Sequence, residues 1–118
     1  SGADLSEFSL IAADLSEANL TGAKLTSANL SGGNLIGARL TGADLRLAQL
    51  GRCHLFMADF GEAQLHGADL SDADLRRANL YKANLYSANL QNARVTDEQL
   101  ALVSSIKDAI MPDGTKHD

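Results

Sequence analysis

The residues best suited to chemistry are few. Cys53 stands beside His54, a second histidine is His66, and Asp or Asn recurs at steps of five along much of the chain, as at Asp14, Asn19, Asn29 and Asn34. A Cys–His pair can make a nucleophile with its base, and a ladder of carboxylates can hold calcium. Either use depends on which side chains the fold brings together, so the elements that would carry them come first.

Those elements are written in an arithmetic of five. From Leu5 to Leu90 every fifth residue is Leu, with Phe60 the sole exception, and Val95 continues the register. Two positions earlier stands Ala, from Ala3 to Ala93, except at Phe8, Gly33 and Cys53. The residue between them is usually Asp or Asn, so the unit is A-[D/N]-L-x-x. Leu and Ala together make up a third of the 118 residues, while aromatics are 4%, which is the composition of an array rather than an ordinary globule. On an α-helix such leucines would step about 140° around the axis, and on a flat strand they would alternate faces. All of them reach one interior only if the chain bends about a quarter turn every five residues. Four bends close a square coil of twenty residues, and coils stack at the ~4.8 Å spacing of hydrogen-bonded strands.

In uninterrupted tandem over residues 1–95, this unit resembles the pentapeptide-repeat family, and its cyanobacterial members in particular; the ending Met-Pro-Asp-Gly-Thr-Lys-His is similar to tails of that group. The resemblance implies a right-handed quadrilateral β-helix, an all-β solenoid of about five coils. In family terms Leu is the central inward residue, Ala the second, and the two x positions form corners. Gly22, Gly32, Gly37, Gly42 and Gly67 fall at the second x position, where a type II turn requires φ > 0.

A solenoid must close its ends. Residues 96–118 read as a C-terminal cap: Thr96 and Gln99 form a capping box, and Leu100, Val103, Ile106 and Ile110 mark an amphipathic helix over 97–110. Pro112-Asp113-Gly114 ends it as a turn, and Lys116-His117-Asp118 is a loose tail. At the other end Phe8 is a candidate plug. If it does not suffice, the N-terminal coil pairs end to end with a second copy as a homodimer, or the chain is a fragment of a longer solenoid.

Stacking by twenties now decides the chemistry. Cys53 takes an inward Ala position and reads as a small buried hydrophobe. His54 falls between Asn34 and Asp74 in its column, too poor a set to hold a metal, and His66 falls between Arg46 and Tyr86. The Asp/Asn series is diluted by Lys, Arg and Gln, so bonds to backbone explain it better than calcium. No phosphate loop, cofactor motif or catalytic constellation is present, and the expectation is a protein that is not an enzyme.

Charge narrows the partners. Residues 1–95 carry eight Lys/Arg against ten Asp/Glu, and the whole chain is −5, which argues against direct nucleic-acid binding. Some pentapeptide-repeat proteins resemble B-DNA and inhibit DNA gyrase, so DNA mimicry toward a type II topoisomerase is the alternative function. Yet duplex DNA of matching length, roughly 24 Å, carries about 14 negative charges. No run of 18 apolar residues is present to suggest a membrane partner, and no signal peptide is recognisable, which makes the cytoplasm the default compartment and leaves processed export open. The informative corners are apolar: Ile36 and Phe56 are twenty apart, Met57 adjoins Phe56, and the same columns continue into Arg76 and Arg77. That set is the candidate interaction patch of a rigid, non-catalytic scaffold or protein-interaction module.

Overall fold

The computed structural model describes residues 2–118, and over most of them the chain is a four-sided β-helix. Parallel bridges run at steps of twenty down each side: Asp4 to Lys24, Asp44, Gln64 and Asn84 on the first face, and Ser9 to Asn29, Gln49, Asp69 and Asn89 on the second. The third face runs from Asp14 through Asn34, His54 and Asp74 to Arg94, the fourth from Asn19 through Arg39 and Asp59 to Asn79. The particle measures 33 × 23 × 23 Å.

Each corner is one hydrogen-bonded turn. The N–H of the Ala-type residue donates to the carbonyl of the preceding Leu, as from Ala43 to Leu40 at 3.0 Å. The second corner residue is left-handed whether or not it is glycine: Glu17 has φ 61°, Met57 61° and Arg77 62°. This is the φ > 0 geometry of a type II turn, and bonding between coils holds it at a cost of about 1–2 kcal/mol for each side chain that carries a Cβ. The Asp/Asn preference has its cause here as well. Asn34 Oδ1 accepts from the N–H of Ile36 at 3.1 Å, and Asp69 Oδ1 from that of Ser71 at 2.9 Å, so the outward residue secures the first N–H of its own corner.

The interior is the Leu and Ala of the repeat with Phe60, Cys53, Leu100 and Ala109, and no polar side chain is buried among the described residues. Leu5, Leu10 and Leu15, in the first coil, are only partly covered. Phe8 does not plug this end: its side chain is 55% exposed. The N–H groups of Lys24, Asn29, Asn34 and Arg39 donate to Ala3, Phe8, Ala13 and Ala18 at 2.7–2.9 Å, whereas those of Asp4, Ser9, Asp14 and Asn19 have no partner among the described residues.

The C-terminal segment departs from the expected helix over 97–110. Helix α1 is confined to Asp97–Leu100, opened by the anticipated capping box at Thr96 and Gln99. Beyond it the chain returns to the solenoid edge, one residue out of step: Asn84 pairs with Ser105 and Asn89 with Ile110. Ala109 N–H donates to Ile106 O at 3.0 Å and Asp108 has φ 62°, so the segment turns the same corner as the repeats. The tail is not loose either. It doubles back at Pro112–Gly114 and pairs antiparallel with this edge, Met111 N–H donating to Thr115 O at 2.7 Å and His117 N–H to Ala109 O at 2.8 Å.

Gln99 is the joint between repeat and cap. Its Oε1 accepts from Thr96 N–H at 2.9 Å, while its Nε2 donates to the carbonyls of Leu75 and Ala78 at 2.7 and 3.0 Å. Thr96→Ala is expected to cost about 1 kcal/mol, the usual worth of an N-cap. Gln99→Ala also strands the part-buried Ala78 carbonyl, while Leu75 O keeps its corner bond from Ala78 N–H, and is expected to cost about 2 kcal/mol. Urea unfolding midpoints of the two variants check the order.

Candidate functional site

The third face and the corner that follows it hold the residues singled out by the sequence. Gly37 N–H donates to Phe56 O at 3.0 Å and Met57 N–H to Arg76 O at 3.1 Å, so Ile36, the Phe56–Met57 pair and the Arg76–Arg77 pair succeed one another down one corner. Ile36 is 38% and Met57 56% exposed. Phe56 is half-buried, with the Arg76 guanidinium 5.8 Å from its ring centroid. Above Ile36 the Glu17 carboxylate lies against Gly37, where an added Cβ would come within 2.7 Å of its oxygen. The strip therefore runs from an acid, through three apolar side chains, to two arginines.

Arg76 is fixed from its other side. Its Nε and Nη2 donate to Asp74 Oδ1 and Oδ2 at 2.9 and 2.7 Å, a fork-to-fork pair. These bonds hold the Asp74 carboxyl down at about 2, with the fields of Arg76 and Arg94 adding to the effect. The folded value lies below the ordinary carboxylate value of about 3.9, so the pair is fully formed above that pH and opens only as pH falls toward 2. A hollow of about 340 Å³ beside the pair is lined by Arg52, His54, Asp72, Asp74, Arg76 and Arg94. Sequence reasoning had singled out His54, Asp74 and Arg76 here, with Cys53 on the inner side. The third-face column supplies Arg94, and the adjoining corner column supplies Arg52 and Asp72, so the twenty-residue register was the signal for all three.

Cys53 lies on the inner side of this face, 1% exposed, its Sγ donating to Leu30 O at 2.9 Å. Burial pushes its thiol up to about 11, which keeps it protonated and unreactive at neutral pH. Among the described residues no three His, Cys, Asp or Glu side chains come together as metal ligands, and no helix is long and apolar enough to cross a membrane.

A second surface feature lies at another corner. Thr26, Arg46, Leu47 and His66 line an open groove of about 340 Å³, and His66 meets Tyr86 edge to face at 4.8 Å. Leu47, isolated in sequence and 61% exposed, lies across Gly67, where a Cβ would approach its Cδ2 to 2.8 Å. Arg46 is held by Asp44 at 2.7 Å.

The family model for pentapeptide repeats matches residues 1–32, 18–55 and 58–97. The chain belongs to the pentapeptide-repeat family. Among solved structures, this repeat protein is similar to HetL, a pentapeptide-repeat protein involved in heterocyst differentiation regulation from the cyanobacterium Nostoc sp. strain PCC 7120, at 35% identity and TM-score 0.78. That alignment covers 99% of this chain and 63% of HetL, so the chain spans less than two thirds of that relative. It is similar also to alr5209 from Nostoc, at 33% identity and TM-score 0.75 over 85% of this chain and 82% of the other. A third relative is Rfr23 from the cyanobacterium Cyanothece 51142, at 25% identity and TM-score 0.63 over 81% and 86%. No protein of curated function matches the chain. The repeat protein is a right-handed quadrilateral β-helix like these relatives, and the fold suits a scaffold or interaction module: its interior is filled with apolar side chains and its polar side chains stand outside.

Proposed function

We propose that this pentapeptide-repeat protein is a non-catalytic interaction module that engages a protein partner through the Ile36–Phe56–Met57 corner. The observation that carries this reading is the apolar strip itself. The first corner residues of the other columns are mostly Ser, Thr, Gly or Arg, yet here two apolar side chains stack in successive coils and a third adjoins them. The rigid backbone presents them without an ordering cost, which favours recognition over catalysis. In the same reading, α1 and the antiparallel return of residues 115–117 close the C-terminal end, so that the faces are left for binding.

Capture from lysate of the cells it comes from, with partners identified by mass spectrometry, tests the assignment. Phe56→Glu is expected to abolish retention of a partner that wild type holds. Met57→Gly is the cleaner probe: position 57 is left-handed, so glycine relieves strain while removing the side chain, and stability is expected to stay within about 1 kcal/mol of wild type. The exposed Gln64 on the first face serves as control, Gln64→Glu retaining the partner. Retention by all three variants overturns the assignment.

A further inference from the structure

Arginine is concentrated on one side of the molecule, where it is matched in number by acids. The whole sequence is −5, yet five of its six arginines, Arg39, Arg52, Arg76, Arg77 and Arg94, lie on the third and fourth faces and the corners beside them. Only Arg76 among these five is ion-paired among the described residues, and the sixth arginine, Arg46, is paired to Asp44 on the far side. Arg39, Arg52, Arg77 and Arg94 are exposed guanidiniums without a carboxylate in ion-pair reach, flanking an apolar strip. Unpaired arginines around apolar anchors suit an incoming carboxylate, which a guanidinium grips through two parallel bonds.

Two features separate a protein carboxylate from a nucleic-acid phosphate. Arg76 already covers the Phe56 ring, so the ring is not free to stack on a base. Asp72, Asp74 and Glu17 are interleaved with the arginines, and they oppose a continuous phosphate backbone while leaving room for discrete carboxylates. We propose that this face binds an acidic segment of a partner protein, its apolar side chains seated on Ile36, Phe56 and Met57 and its carboxylates reaching Arg52, Arg77 and Arg94. This rests on the interaction reading above and adds the chemistry of the partner.

The test is selection of random twelve-residue peptides displayed on phage against the full chain, followed by fluorescence polarisation of the selected peptides. The proposal expects an enriched pool that combines Asp or Glu with Leu, Phe or similar residues. Binding of such a peptide should fall at least tenfold in Met57→Gly and in the double variant Arg77→Glu/Arg94→Glu, and severalfold between 0.05 and 0.5 M NaCl. An apolar pool without acids, still lost in Met57→Gly, overturns the acidic partner and leaves the interaction surface standing. A pool indifferent to Met57→Gly, or no enrichment at all, overturns both. Tighter binding of a fluorescent single-stranded oligonucleotide than of any selected peptide replaces the protein segment by nucleic acid.

Discussion

Phe60→Ala is expected to cost about 3–5 kcal/mol, a large part of the stability of a domain this small. Phe60 is fully buried, stands where the repeat otherwise places Leu, and is the one aromatic side chain in the interior among the described residues. Its coil cannot close around a void. Leu40 N–H donates to Asp59 O at 2.7 Å and Phe60 N–H to Asn79 O at 2.8 Å, so the neighbouring coils are held at fixed spacing above and below the ring. Leu40 and Leu80 in the same column are themselves fully packed and have nowhere to move. Phe60→Leu, which restores the residue found elsewhere in the column, should cost no more than about 1.5 kcal/mol. Urea unfolding of both variants provides the comparison, and equal midpoints would show that the column relaxes freely.

The repeat made most of this structure legible. Five-residue periodicity excludes helix and flat strand, and once the chain is bent into a square the twenty-residue register places each column: His66 between Arg46 and Tyr86, and Phe56 above Arg76. The Asp/Asn series was legible too, because those side chains accept the corner N–H as their chemistry suggests. The ends were not. Leu100, Val103, Ile106 and Ile110 have helical spacing, but the last coil offers unpaired backbone groups at its edge, and a chain that follows the edge satisfies them: Ser104 N–H donates to Ala83 O at 2.8 Å and Leu85 N–H to Ser105 O at 2.8 Å. Ser104-Ser105 also weakens the helix at its middle. Hydrogen bonding to a preformed edge therefore outweighs amphipathic pattern, and Ile106-Lys107-Asp108-Ala109-Ile110-Met111 becomes a worn copy of the repeat. Phe8 was not legible as to its place: its ring stands 55% exposed instead of covering the first coil.

Charge on the candidate face was legible only in part. Arg76 and Arg77 were visible as neighbours of the apolar corner, but Arg52 and Arg94 belong to other columns and join them only when the face is assembled. The fork between Arg76 and Asp74 depends on rotamers that register does not specify. It decides which arginines are left to a partner, because a guanidinium already gripped from one side has less to offer than Arg77 or Arg94.

The two departures from Ala in the third inward column, Gly33 and Cys53, are expected to behave as one unit. They are stacked, the smaller residue directly above the larger, and Cys53 Sγ reaches Leu30 O at 2.9 Å. The same carbonyl stands 2.9 Å from where a Cβ on Gly33 would lie, closer than any real Cβ tolerates, with Ala13 O at 3.4 Å on the other side. The missing methyl at 33 thus leaves the space in which the thiol and carbonyl meet. Gly33→Ala alone is expected to destabilise by about 1–3 kcal/mol through overpacking against backbone that cannot swing away. Cys53→Ala alone should cost about 1 kcal/mol, the loss of one buried heavy atom and a weak bond. The double variant restores the Ala-over-Ala stacking of the rest of the interior and frees the Leu30 carbonyl from the thiol, so it should be more stable than the sum of the single effects by about 1 kcal/mol or more. A double-mutant cycle by urea unfolding measures that coupling. Strict additivity would mean that Gly33 and Cys53 vary independently and that the clash with Leu30 O is set by the corner alone.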